Sequence, residues 1–259
     1  MKLTAKNYYS TEANRAFWSA SMVKEMLSCP ARALAEMRGE YARPDTTALL
    51  IGSYIDAYFE GALDDFKLAH PEIFKRDGEL KSDYIMANRM IARAEAEPLF
   101  MEYLRGDKQR IVTGNLFGLP FKAKYDVYLS GERIVDLKTA KDLKPTYRAG
   151  QGKVTFADAW NWTLQMAIYQ ALDGNSLPCY LAVITKEDPP DIDVVQIPQY
   201  MLDAEMDILA EKMPYFDAIK QGVIEPERCE SCAYCRATKK LTEPKQLSEF
   251  YEIGGNDIE

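Results

Sequence analysis

The chain has 259 residues, with 32 Lys plus Arg against 40 Asp plus Glu, one His and five Cys, and 47% of it is apolar. These figures exclude a disordered tail, a collagen-like fibre and a disulfide-stapled miniprotein, and the length suits one large domain or two small ones. No apolar run reaches the ~18 residues of a membrane span, and the N-terminus MKLTAKNYYS lacks the apolar stretch of a signal peptide, so a cytoplasmic setting is expected.

A formal net charge of −8 argues against indiscriminate coating of DNA. Residues 121–153 nevertheless carry eight Lys or Arg and four acids, a basic island in an acidic chain. In chain order, residues 19–37 show helical apolar spacing (Met22, Val23, Met26, Leu27, Ala33, Leu34, Met37), with Pro30 starting a new helix or kinking the old one. Further helical patterns cover residues 47–68 and 83–104. The period then changes to that of strands at 111–116, 121–129 and 133–137, joined by Phe-Gly-Leu-Pro and Ser-Gly-Glu turns, which reads as an antiparallel meander. A Lys-rich polar loop leads to a helix over 156–172. Strands follow at 179–185 and 193–197, then a long amphipathic helix at 200–221, a cysteine cluster and a polar tail, residues 242–259. No internal repeat is evident, so one domain over residues 1–241, mixing helices and strands with a helical N-terminal region, is the economical reading.

The strongest chemical constellation is Asp126 on the second strand with Asp136-Leu137-Lys138 ending the third. Side chains alternate along a strand, so Asp136 and Lys138 share a face, and an adjacent antiparallel strand can bring Asp126 alongside. Two carboxylates with a main-chain carbonyl suit a hard cation such as Mg²⁺, while a lysine can hold or help deprotonate a water. An isolated Asp-x-Lys is most often a surface ion pair. Here a helix follows carrying Gln165 and Tyr169, four residues apart on one face.

In that order, Asp126, Asp136-Leu-Lys138 and Gln165-x-x-x-Tyr169 resemble the PD-(D/E)xK nuclease superfamily, in its RecB-like branch. The stretches Asn7–Asn14, Cys29-Pro-Ala-Arg32 and Cys229 to Lys239 are similar to the phage and prophage exodeoxyribonuclease VIII (RecE-like) group. The resemblance implies an α/β fold with a central mixed sheet flanked by helices, and a core at about residues 46–200. It implies Asp126, Asp136 and the Leu137 carbonyl as ligands of Mg²⁺ or Mn²⁺, Lys138 as the catalytic lysine, and Gln165 and Tyr169 as residues that position the scissile phosphate or DNA strand. The family's Gly-x-x-x-His reads Gly52-Ser-Tyr-Ile-Asp56 here, so Asp56 either replaces the histidine as an oxygen ligand or the ligand is lost. Glu60, one turn on, reads as a solvated charge or a supporting acid. His70 reads as structural, which leaves no histidine for a nucleophilic dyad. The implied activity is 5′-to-3′ digestion of linear duplex DNA by a homo-oligomer, in phage-type recombination alongside a single-strand annealing protein. Two other readings remain: an iron–sulfur nuclease of single-stranded ends, and a catalytically silent DNA-binding protein of the same fold.

Cys229, Cys232 and Cys235 with the distant Cys29 have the one-plus-three layout that holds a [4Fe–4S] cluster in several RecB-like nucleases, although the second gap of the trio is shorter here. Zn²⁺ on four thiolates, or no metal, are the alternatives. Cys179 sits in an apolar strand pattern and reads as core. Lys141, Lys144, Arg148 and Lys153 are expected on the loop after Lys138, where they would contact the DNA backbone. Phe156, Trp160 and Trp162 read as core more readily than as base-stacking groups.

Overall fold

The structure is a computed structural model that describes residues 1–148, 152–174, 177–244 and 246–250. Seven helices open the chain: α1 Thr11–Ala16, α2 Ala20–Ser28, α3 Pro30–Arg38, α4 Thr47–Glu60, α5 Leu63–Ala69, α6 Ser82–Glu95 and α7 Pro98–Tyr103. Pro30 stands at the first position of α3 and α2 ends two residues earlier at Ser28, because the proline ring cannot continue the preceding helix. The periodicity over 47–68 breaks at Gly61, whose left-handed φ of 76° caps α4. Pro98 likewise separates α6 from α7.

Strands β1 Asp107–Leu116, β2 Leu119–Leu129 and β3 Arg133–Ala140 form the meander. The stretch expected as a polar loop instead folds into a short hairpin, β4 Thr146–Arg148 and β5 Gly152–Val154. Next come α8 Phe156–Ala159, α9 Trp162–Asp173, β6 Cys179–Thr185, β7 Ile192–Ile197, α10 Gln199–Lys220 and α11 Ala233–Ala237. Of the polar tail, residues 251–259 lie outside the described residues.

The main sheet has the order β1-β2-β3-β6-β7, antiparallel except for the β3–β6 pair, which α9 connects. One face is covered by α2, α3, α9 and α10, with Trp18, Met26, Phe121, Tyr125, Ile134, Leu164, Leu181 and Phe216 in its core. The other is covered by α4, α6 and α7, with Ile55, Met90, Phe100, Val127, Val135, Leu137 and Ile184. The result is the expected central mixed sheet flanked by helices. All of residues 162–170 in α9 are buried, so this helix is covered on every side between the sheet and other helices, and its polar members Thr163, Gln165 and Gln170 must find partners inside.

One departure from regular pairing creates the site. β2 and β3 pair only from Val127↔Val135 to Leu129↔Arg133, and beyond that the two strands part. β3 continues beside β6, whereas the freed edge of β2 is taken up by Trp18: its N–H donates to the Pro120 carbonyl at 2.8 Å and its carbonyl accepts from Lys122 N–H at 2.8 Å. Ser19 then caps α2 by accepting from Met22 N–H, so α2 starts directly at the mouth of this fork.

Candidate active site

Asp126 stands where β2 leaves β3. Its Oδ2 accepts from Leu137 N–H at 3.1 Å, replacing a lost ladder bond with a carboxylate. Opposite it on β1, Gln109 has a left-handed φ of 53° and donates from Nε2 to Asp126 Oδ1 at 3.4 Å. A non-glycine residue held in that region costs free energy, and such residues cluster at functional sites.

Asp136 is 1% exposed and lies beneath the cleft floor. Its Oδ1 accepts from Gln165 Nε2 at 2.9 Å, and Oδ2 forms an ion pair with Lys138. No hydrogen bond is directed at Oδ2 among the described residues. Gln165 is the hub of the site: its Nε2 also donates to Tyr169 Oη at 3.0 Å, and its Oε1 accepts from Lys24 Nζ at 2.6 Å. Tyr169 Oη donates to the Lys124 carbonyl at 3.2 Å. Asp56, Asp126, Lys138, Gln165 and Tyr169 line one cleft of about 510 Å³.

The electrostatics show too many acids for too few partners. Burial first, and then the neighbouring Asp136 and Glu60, push Asp56 up to about 7 against the pull of Lys138. Burial and Asp136 hold Asp126 well above the usual carboxylate range. Burial would lower Lys138, but Asp136 and Asp126 outweigh it and keep the amine charged above its ordinary value. Lys24 goes the other way, down to about 7, through burial and the nearby Lys138.

A scan against family descriptions matches residues 19–238 to the PDDEXK-like domain of unknown function (DUF3799). The chain belongs to this family. The crystal structure of a protein from Eubacterium rectale, named "Putative exonuclease", matches at a TM-score of 0.94 and 37% identity, over 96% of this chain and 98% of that one. A second structure, of SSO0001, reaches a TM-score of 0.29 at 13% identity over 73% of this chain and 85% of the other, and carries no argument. No curated protein matches the sequence.

The PDDEXK-like site has the donor set for a divalent cation. Asp136 Oδ2 is a buried oxygen whose contact is the Lys138 ammonium, and Asp56 and Asp126 are raised by burial and then by neighbouring acids, a repulsion that a bound cation would relieve. The donors are oxygens and the surroundings negative, which suits Mg²⁺ or Mn²⁺ better than a thiophilic metal.

Several site residues are invisible to sequence spacing. Lys24 lies 141 positions from the glutamine it touches. Gln109 and Lys124 also enter the cleft, as does Glu60, which is partly buried and raised by burial. Lys122 is 1% exposed and bonds Asn14 Oδ1 at 2.8 Å, with the Tyr8 carbonyl as a second acceptor. His70 pairs through Nδ1 with Glu72 and packs behind Phe66 of the cleft wall without lining the cleft itself, and Cys179 is fully buried core.

The basic residues after Lys138 gather elsewhere than the cleft floor. Lys141, Lys144 and Arg148 line a second groove of about 480 Å³ together with Tyr147 and Trp160, which are 75% and 66% exposed. Arg148 is anchored there by the Asp158 carbonyl and Asn161 Oδ1, both at 3.3 Å. Lys153 is exposed on β5, outside that lining, and Trp162 is core. The two cavities are adjacent along β3, because Lys138 lines the cleft and Ala140 the groove, about 7 Å apart on one face of the strand.

Proposed function

We propose that this chain is a metal-dependent exodeoxyribonuclease that hydrolyses phosphodiester bonds at the ends of linear duplex DNA, through the domain formed by residues 1–241. The PDDEXK-like fold and the kinship with the Eubacterium rectale protein support a nuclease. The observation that carries the reading further is the meeting of Asp126, Lys138, Gln165 and Tyr169, from two diverging strands and one helix, in the lining of one cleft, with Asp136 bonded to Gln165 and Lys138 beneath it. Duplex ends, 5′-to-3′ polarity, homo-oligomer formation and phage-type recombination with a single-strand annealing protein rest on the RecE-like resemblance, and a cytoplasmic setting on the sequence pattern.

Asp56, Asp126 and Asp136, with the Leu137 carbonyl, would hold Mg²⁺ or Mn²⁺. When bound, the cation supplies Lewis acidity toward the phosphoryl oxygen and lowers the pKa of water. The residues of the chain do the rest. Lys138, paired with Asp136, would orient the attacking water and offset the charge that grows on the phosphate. Gln165 holds one oxygen of the Asp136 carboxylate and Lys138 pairs with the other. Tyr169 and Lys24 fix Gln165 from either side. Lys141, Lys144, Arg148 and Lys153 would track the DNA backbone leading out of the cleft.

The test uses linear duplex DNA labelled at either 5′ or 3′ ends, with covalently closed circular DNA as control, in Mg²⁺. The wild type should release nucleotides from the linear substrate and spare the circle. Lys138→Ala and Asp136→Asn should lose at least about 10²-fold in rate while binding DNA. Equal digestion by the wild type and Lys138→Ala would sink the reading, as would no digestion by the wild type in either Mg²⁺ or Mn²⁺.

A further inference from the structure

The cysteines form a second site, remote in sequence from the carboxylates and independent of the nuclease reading. Cys29, Cys229, Cys232 and Cys235 present sulfurs that all lie within 4.8 Å of one another. Cys29 to Cys235 is 3.5 Å, and Cys229 to Cys235 and Cys232 to Cys29 are each 3.9 Å. A tetrahedron of thiolates around one zinc ion, with Zn–S about 2.3 Å, has edges of about 3.8 Å. A four-iron cluster seats each thiolate on a different iron, which spreads the sulfurs wider than one ion does. The sulfur positions therefore disagree with the iron–sulfur cluster that the one-plus-three layout implies.

From this convergence we infer a mononuclear tetrathiolate zinc site formed by Cys29, Cys229, Cys232 and Cys235. The short C-x2-C-x2-C spacing makes it possible. Cys232 N–H points at Cys229 Sγ at 3.3 Å and Cys235 N–H at Cys232 Sγ at 3.4 Å, so the trio winds tightly around one point into α11. Four thiolates around Zn²⁺ carry a net −2, and Arg32 and Arg228 stand near Cys232 and Cys235 while also pairing with Glu25 and Glu230, Arg228 donating to the Cys235 carbonyl at 2.6 Å. Cys29 and Cys235 are fully buried while the other two are partly exposed, a closed structural site with an entry side.

The position gives the ion a job. Cys29 is the residue between α2 and α3, and Ala31 N–H donates to the Glu227 carbonyl at 3.0 Å, so the ion would clamp the C-terminal segment onto the helix that carries Lys24.

The full chain should be produced with iron and zinc both supplied, purified without oxygen and assayed for zinc, iron and acid-labile sulfide. One zinc per chain, no iron or sulfide and no visible colour are expected. Exchange into Co²⁺ should give the thiolate-to-cobalt charge-transfer and d–d bands of a tetrahedral tetrathiolate. Cys232→Ser should lose stoichiometric zinc, and Cys179→Ser, whose thiol is in the core, should keep it. Iron with sulfide and a brown chromophore would overturn the inference, as would a wild-type chain that retains neither zinc nor cobalt, or full zinc in Cys232→Ser. Metal content is read apart from DNA cleavage, so an inactive chain that holds one zinc would refute the nuclease proposal and leave this one standing.

Discussion

At the scale of single residues, Gln165 shows how much one neutral side chain organises. It answers an acid, a phenol and an amine at once, and each is buried or nearly so. Removing it leaves Asp136 Oδ1 and the Lys24 amine without their partner, each at a cost of about 1–3 kcal/mol, whereas removing the Tyr169 hydroxyl deletes bonds whose net worth is about 1 kcal/mol each. Gln165→Leu should therefore lower Tm and the DNA cleavage rate together, while Tyr169→Phe, measured in the same thermal melt and rate assay, should cost less in both. Asp56 provides a sharper test of the metal site. Its carboxyl is pushed up to about 7 by burial and neighbouring acids, so below that pH a cation must displace its proton. The rise in Tm caused by Mg²⁺ should be large at pH 8 and shrink as pH falls through about 7, and Asp56→Asn should flatten that dependence. A wild-type response to Mg²⁺ that is constant across this range would mean that Asp56 does not take the place of the family's histidine.

At the scale of elements, what was legible in the sequence is what local periodicity encodes. The alternation in 121–129 and 133–137 placed Asp126, Asp136 and Lys138 on neighbouring strands, and the four-residue spacing put Gln165 and Tyr169 on one helical face. The β4–β5 hairpin escaped because its strands are three residues each and polar, and α1 because it spans six. The fork between β2 and β3 was equally hidden, since strand separation is set by a third segment, Trp18, more than 100 residues away. That segment is held from α10 by Lys220, which donates to the Phe17 carbonyl at 2.9 Å and lies over the Trp18 ring. Burial lowers Lys220 to about 8 from an ordinary 10.5. Between those two values the unfolded chain binds the proton more often than the folded one, so this residue's contribution to stability grows as pH rises through the window and is lost toward lower pH. The difference in Tm between the wild type and Lys220→Met should shift in favour of the wild type from pH 8 to pH 10. An unchanged difference would show that the amine is not desolvated at this junction.

At the scale of the whole molecule, a chain of net charge −8 must draw DNA to a small part of its surface. The cleft gathers Lys122, Lys124 and Lys138, and the adjoining groove adds Lys141, Lys144 and Arg148 beside two exposed aromatic rings. On the proposed function, acidic surface elsewhere would repel phosphate and confine DNA to that path. The two cavities should then divide the work, with chemistry in the first and grip in the second. Lys141→Glu with Lys144→Glu should raise KM for linear DNA and leave kcat nearly unchanged, since neither side chain lines the cleft. Every phosphate that the double variant no longer neutralises should also reduce the slope of log K against log salt, by about 0.9 for a duplex and about 0.7 for a single strand. Titrating binding of both kinds of end across salt concentrations, for the wild type and the double variant, therefore reports which form of DNA occupies the groove. A kcat that falls as far as it does for Lys138→Ala would instead place the two lysines in the hydrolytic step, and an unaltered salt slope would remove the groove from the DNA path.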